Sequence, residues 1–106
     1  MRAILVFAVS AVLAIPAQAD DLRDLARALG EIMASEAACG LKLDPDAIRA
    51  LVRSRVPADD LRFMKNVDNE VVLFPGRLED MTESVKAAHC EQMGRLAVTL
   101  KIAKAG

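Results

Sequence analysis

Cys39 and Cys90 are the only cysteines in this chain of 106 residues, and 51 positions separate them. What they do depends on where the chain goes, and the N-terminus speaks to that. Met1 and Arg2 precede an apolar run from Ala3 to Ile15 in which Ser10 is the only polar residue. Pro16 ends the run, and Ala17-Gln18-Ala19 puts small residues at the two positions a signal peptidase reads, with Asp20 and Asp21 immediately after. A positive start, a short apolar stretch and an A-x-A site describe a secretory signal peptide. The run is too short for a bilayer-spanning helix, which needs about 20 apolar residues. The expected organisation is a signal peptide at 1–19, cleaved after Ala19, and one domain at 20–106. In a bacterium the destination is the periplasm.

Outside the cytosol thiols oxidise, and an even cysteine count in a small exported chain reads as a disulfide framework. Two cysteines allow one intramolecular connectivity. By the chain-entropy argument, closing so long a loop contributes about 4 kcal/mol, against a total stability of about 5–10 kcal/mol for a domain of this size. Two readings compete. One is intermolecular pairing or a free thiol. The other is metal or redox chemistry, but a redox pair calls for C-x-x-C, and a structural zinc site calls for four ligands where Cys39, His89 and Cys90 supply three.

Composition removes several function classes. Without Arg2, the 14 Lys and Arg become 13, against 15 Asp and Glu, so the domain lacks the basic surplus of a nucleic-acid binder. Phe63 and Phe74 are its only aromatic residues, too few for base stacking. There is no glycine-rich phosphate loop, no haem-attachment motif, and one histidine, His89. Nucleophilic triads need a histidine beside the nucleophile. The expectation is therefore no catalytic residue, no cofactor, no metal, and no membrane span once the leader is gone.

The domain reads as helices throughout. Leu22, Leu25, Leu29, Ile32 and Met33 recur at helical spacing up to a stop at Gly40. That places Cys39 in the last turn and Glu36 near the centre of the apolar stripe. Asp44-Pro45-Asp46 is a capped helix start, with Ile48, Leu51, Val52 and Val56 as its buried face. Arg49, Arg53 and Arg55 then form a solvated face, the competing view being an anion patch. Val56-Pro57 ends that helix. A third starts after Asp59-Asp60 with Leu61, Met64, Val67 and Val71 on one side. It is expected to finish in a buried Val71–Phe74 end before a break at Pro75-Gly76. The fourth, capped by Asp80 or Thr82, carries Leu78, Met81, Val85, Ala88, Leu96, Leu100 and Ala103 on one face through to Lys104. His89 is read as partly packed, and Gly94 as a place for close helix crossing. The fold class is all-α: a small bundle of about four helices with one disulfide.

Glu36-Ala37-Ala38-Cys39-Gly40-Leu41, Asp44 with Ala47-Ile48, Val-Pro-Ala-Asp-Asp at 56–60 with Phe63, and Ala88-His89-Cys90 together resemble a group of small exported two-cysteine helical proteins of alphaproteobacteria. The resemblance covers most of residues 36–95 and rests on structural motifs, so it implies fold and export and no activity. A looser analogy, in size and in the single long-range disulfide, is to the periplasmic acid-stress chaperones. The functional expectation is a non-catalytic exported protein that binds another, unidentified protein through an apolar helical face, with Phe63, Met64, Phe74 and Met81 as candidate contacts. The alternatives are an acid- or envelope-stress chaperone, and a metal- or redox-active thiol protein.

Overall fold

In the computed structural model, which describes residues 18–105, four helices follow one another in the chain: α1 (Gln18–Cys39), α2 (Pro45–Arg55), α3 (Leu61–Asp80) and α4 (Glu83–Thr99). The described residues form no strand beyond one isolated antiparallel bridge between Leu43 and Ala103. The leader expected at 1–19 lies almost wholly outside the described residues.

Each later helix starts at a residue that supplies an acceptor for free backbone N–H groups. Asp44 accepts from the N–H groups of Asp46 and Ala47, with Pro45 in the first turn. Asp60 accepts from Arg62 and Phe63, and Thr82, rather than Asp80, accepts from Val85.

The longest seam lies between α1 and α3. A Cβ built at Gly30 would stand 2.5 Å from the Glu70 Cβ and 2.9 Å from the Val67 carbonyl oxygen, so only a glycine lets the two backbones approach this closely. Leu22 and Arg23 border a cleft with Asp60, Phe63 and Asn66, and Arg27 borders one with Asn69 and Glu70. Residue numbers therefore rise together along both helices, which run parallel. Helix α2 returns between them, and its Ser54 and Arg55 lie beside Asp21 and Leu22. The core comprises Leu25, Ala26, Leu29 and Ile32 of α1, Phe63 and Val67 of α3, and Met93 and Ala97 of α4, with Leu43 and Ile102 from the connecting segments.

Several sequence expectations are corrected here. Helix α2 buries no side chain fully; Ile48, Leu51, Val52 and Val56 are half-buried against the core. On α3 the inward set is Phe63, Val67, Phe74 and Leu78, whereas Leu61 and Met64 face solvent. This helix has apolar residues on two sides, and the side with both phenylalanines buries more area. Val71–Phe74 is not a buried end, since Val72 and Leu73 are exposed. Nor does Pro75-Gly76 break the helix. Both residues are exposed, while Phe74 and Leu78 on either side are buried. Burial of two such side chains contributes about 3–6 kcal/mol, enough to offset the roughly 3 kcal/mol of an internal proline.

Helix α4 is shorter than its periodicity suggests, ending at Thr99, with Leu78 assigned to α3 and Ala103 to an extended tail. Its inward residues are Met93 and Ala97; Val85 and Ala88 are exposed. Gly94 has Leu41 Cδ2 at 3.7 Å from a built Cβ, ordinary contact, so the close crossing belongs to Gly30.

Helices α1 and α4 end alike. At Gly40, with φ +67, the Gly40 N–H donates to Ala37 O (3.3 Å) and the Leu41 N–H to Glu36 O (2.9 Å). At Lys101, with φ 60, the Lys101 N–H donates to Val98 O (3.0 Å) and the Ile102 N–H to Ala97 O (2.9 Å). Both are Schellman motifs. The two departing segments then pair, the Asp44 N–H donating to Ile102 O (2.9 Å) and the Lys104 N–H to Lys42 O (2.8 Å).

Candidate functional site

Two places in the described residues hold side chains whose arrangement calls for a chemical account: the polar cluster where α4 crosses α1, and the outer face of α3.

At the crossing, Cys39 and Cys90 are joined by a disulfide, with Cα atoms 5.3 Å apart. Neither sulfur is free to ligate, and the described residues contain no group of three or more His, Cys, Asp or Glu able to hold a metal ion. One turn before Cys39, the fully buried Ser35 donates its hydroxyl hydrogen to Glu31 O at 2.7 Å. The same oxygen lies 2.8 Å from His89 Nε2. A hydroxyl has one hydrogen. With that hydrogen on the Glu31 carbonyl, the contact is completed by the His89 tautomer that carries its hydrogen on Nε2 and donates it to the serine oxygen. In that tautomer the polarity is the reverse of a serine–histidine nucleophile, where the histidine accepts the hydroxyl proton. The pair satisfies a buried hydroxyl.

The His89 ring stacks on Phe74, with centroids 5.2 Å apart and planes inclined by 28°. The Arg77 guanidinium carbon sits 5.9 Å from the centroid of the same Phe74 ring, within cation–π range. Side chains of α1 and α3 thus converge on the His89 ring of α4, next in sequence to the bonded Cys90. Chemically the cluster works as a peg, satisfying polar groups and locking three helices together.

Glu36, in the apolar stripe of α1, also has a structural task. Its Oε2 accepts the Leu43 N–H at 3.1 Å, holding the segment after the helix as it turns back. Arg49 pairs with Asp46 on the exposed side of α2.

The outer face of α3 is different in kind. Leu61 is 83% exposed, Met64 48% and Val72 67%. At 100° per residue, Leu61 and Val72 lie with Lys65 and Asp68 along one stripe that points well away from the buried Phe63–Leu78 side, and Met64 lies between that stripe and the buried side. Leu73, 67% exposed, lies further round toward α1, where it borders the cleft with Arg23 and Arg27. Single exposed apolar residues are ordinary, but several large ones on one helical face call for an account.

Of the four contacts expected from sequence, Phe63 and Phe74 are buried, Met81 is half-buried and Met64 is exposed. The structure does not bring the four onto one accessible surface. Sequence reading missed Ser35, although a serine on the Leu25–Ile32 stripe is itself a signal, because a buried hydroxyl has to find a partner. It also missed Leu61 and Val72 as outward-facing residues.

No family model, no curated protein and no solved structure matches this chain. Among the described residues no helix is long and apolar enough to cross a membrane.

Proposed function

We propose that this chain is an exported, non-catalytic, disulfide-braced helical protein whose work is to hold a protein surface against the outer face of α3. The observation that carries this reading is the line of Leu61, Met64 and Val72, each about half or more exposed on a helix whose opposite side already fills the core. Leaving so much apolar surface in water works against folding and solubility, and a partner that covers it removes the cost. The non-catalytic part is supported by the full burial of Ser35, the hydroxyl beside His89, which keeps it out of reach of a substrate. Export to the periplasm is supported by the leader-like residues 1–19 and by a disulfide, which persists in oxidising compartments. The resemblance to exported two-cysteine helical proteins points the same way.

The test is photo-crosslinking in cells, with a photoreactive residue at position 72 and a control at the exposed Ala38 of α1. The reading expects a discrete protein crosslink from position 72 alone, lost when Leu61→Glu is added. Equal, diffuse labelling from both positions, or none, overturns it. N-terminal sequencing of the exported form should begin at Asp20.

A further inference from the structure

The stripe on α3 has a property beyond being apolar: it is complementary to itself. Read along the helix, it runs Leu61, Lys65, Asp68, Val72, with Met64 beside Lys65. The steps are four, three and four residues, the spacing that keeps side chains on one seam between two packed helices. Lys65 and Asp68 are both exposed, and neither takes part in an ion pair; Arg49–Asp46 is the salt bridge found among the described residues. The middle of an apolar line thus carries two opposite, uncommitted charges.

From this arrangement we infer that the outer face of α3 is occupied by the same face of a second copy of this chain, the two helices antiparallel about a twofold axis. The inference rests on the docking reading above and names its partner. A twofold interface brings one patch against itself, so each contact occurs twice. With the axis between residues 66 and 67, Leu61 of each copy meets Val72 of the other, and Lys65 meets Asp68. The outer apolar pair and both charges are then matched, while Met64 lies across from Asn69 at the side of the seam.

Neighbouring registers lack this match. Sliding one helix by a turn in one direction sets Leu61 against Asp68 and Lys65 against Met64. Sliding it the other way sets Asp68 close to its own counterpart and Lys65 against Val72. Like charges face to face, or a charge against a desolvated aliphatic group, disfavour both alternatives. One register is selected, and the charged middle selects it. The exposed Pro75 and Gly76 that follow Val72 carry no long side chains to obstruct the approach.

The decisive experiment is sedimentation equilibrium of the oxidised exported chain over a wide concentration range. The variants are Lys65→Glu, Asp68→Lys and the two combined. The wild type is expected to dimerise. Each single variant places like charges opposite each other twice and weakens association by about tenfold or more. The double exchange restores opposite pairing and brings dimerisation back to near the wild-type level. Because all these positions are exposed, circular dichroism should show unchanged helix content. Zero-length carbodiimide coupling in a mixture of isotopically light and heavy chains should give a mixed Lys65–Asp68 crosslink. A dimer whose strength ignores both single variants overturns the register. A wild type that stays monomeric overturns the pairing: if position 72 still crosslinks to a different protein, the docking face survives, and if it crosslinks to nothing, both readings fall.

Discussion

Helix α1 holds its two neighbours by opposite means. Against α3 it has a long parallel seam, with backbones brought together at Gly30 and an apolar stripe matched to Phe63 and Val67. Against α4 its contact is short, and there the chain places a disulfide, the Ser35–His89 hydrogen bond and the stacked Phe74–His89 pair. Where packing extends over many turns, shape alone holds the helices. Where two helices only cross, specific bonds replace the missing area. In a small domain with limited core this division of labour is expected.

The comparison breaks or sharpens most readily at the disulfide. Replacing both Cys39 and Cys90 by serine, or reducing the bond, should cost about 4 kcal/mol, seen as a lower midpoint in denaturant melts followed by circular dichroism. An unchanged midpoint would show that the crossing holds without its bond. Next in size is Gly30→Ala, which forces Glu70 and the Val67 carbonyl to give way and should cost about 2–3 kcal/mol. Gly94→Ala, whose Cβ would meet Leu41 at an ordinary contact distance, should be neutral or stabilise by up to about 1 kcal/mol. Equal effects at the two glycines would mean the α1–α3 seam is looser than its geometry.

Ser35→Ala deprives the His89 Nε2–H of its acceptor and should cost about 1–2 kcal/mol. In the wild type, long-range nitrogen–proton NMR should find the His89 hydrogen on Nε2; a dominant Nδ1–H form would contradict the donor assignment. The smallest effects belong to the two matched helix ends. Lys101→Gly relieves a left-handed residue and should stabilise by about 1 kcal/mol, whereas Gly40→Ala should destabilise by a similar amount. If both substitutions move stability in the same direction, the two caps are not equivalent.

The four helices were legible because their signals are local: Asp44-Pro45, Asp60, Thr82 and Gly40 each act on backbone groups within a turn. The disulfide was legible from the even cysteine count and the compartment that the leader-like residues led one to expect. What escaped is everything decided by the neighbour a side chain meets. On α3 both sides are apolar, so periodicity alone cannot tell whether Phe63 or Leu61 faces inward; the approach of α1 at Gly30 decides. Pro75-Gly76 looks like punctuation until Phe74 and Leu78 are seen buried around it. Leu100 to Ala103 read as more helix because Lys101, unlike Gly40, gives no hint of a left-handed turn. Ser35 and His89 lie 54 positions apart, and no spacing rule links them.

The reversal at Lys101 has a consequence for the order in which the molecule closes. Ile102, with no exposed surface, plugs the core from a position that follows all four described helices, and its carbonyl and its neighbours stitch down the segment after α1. A growing polypeptide that has emerged only as far as Thr99 has all its helices yet lacks this plug, so its interior stays open to water. Such a molecule reaches its sealed form late.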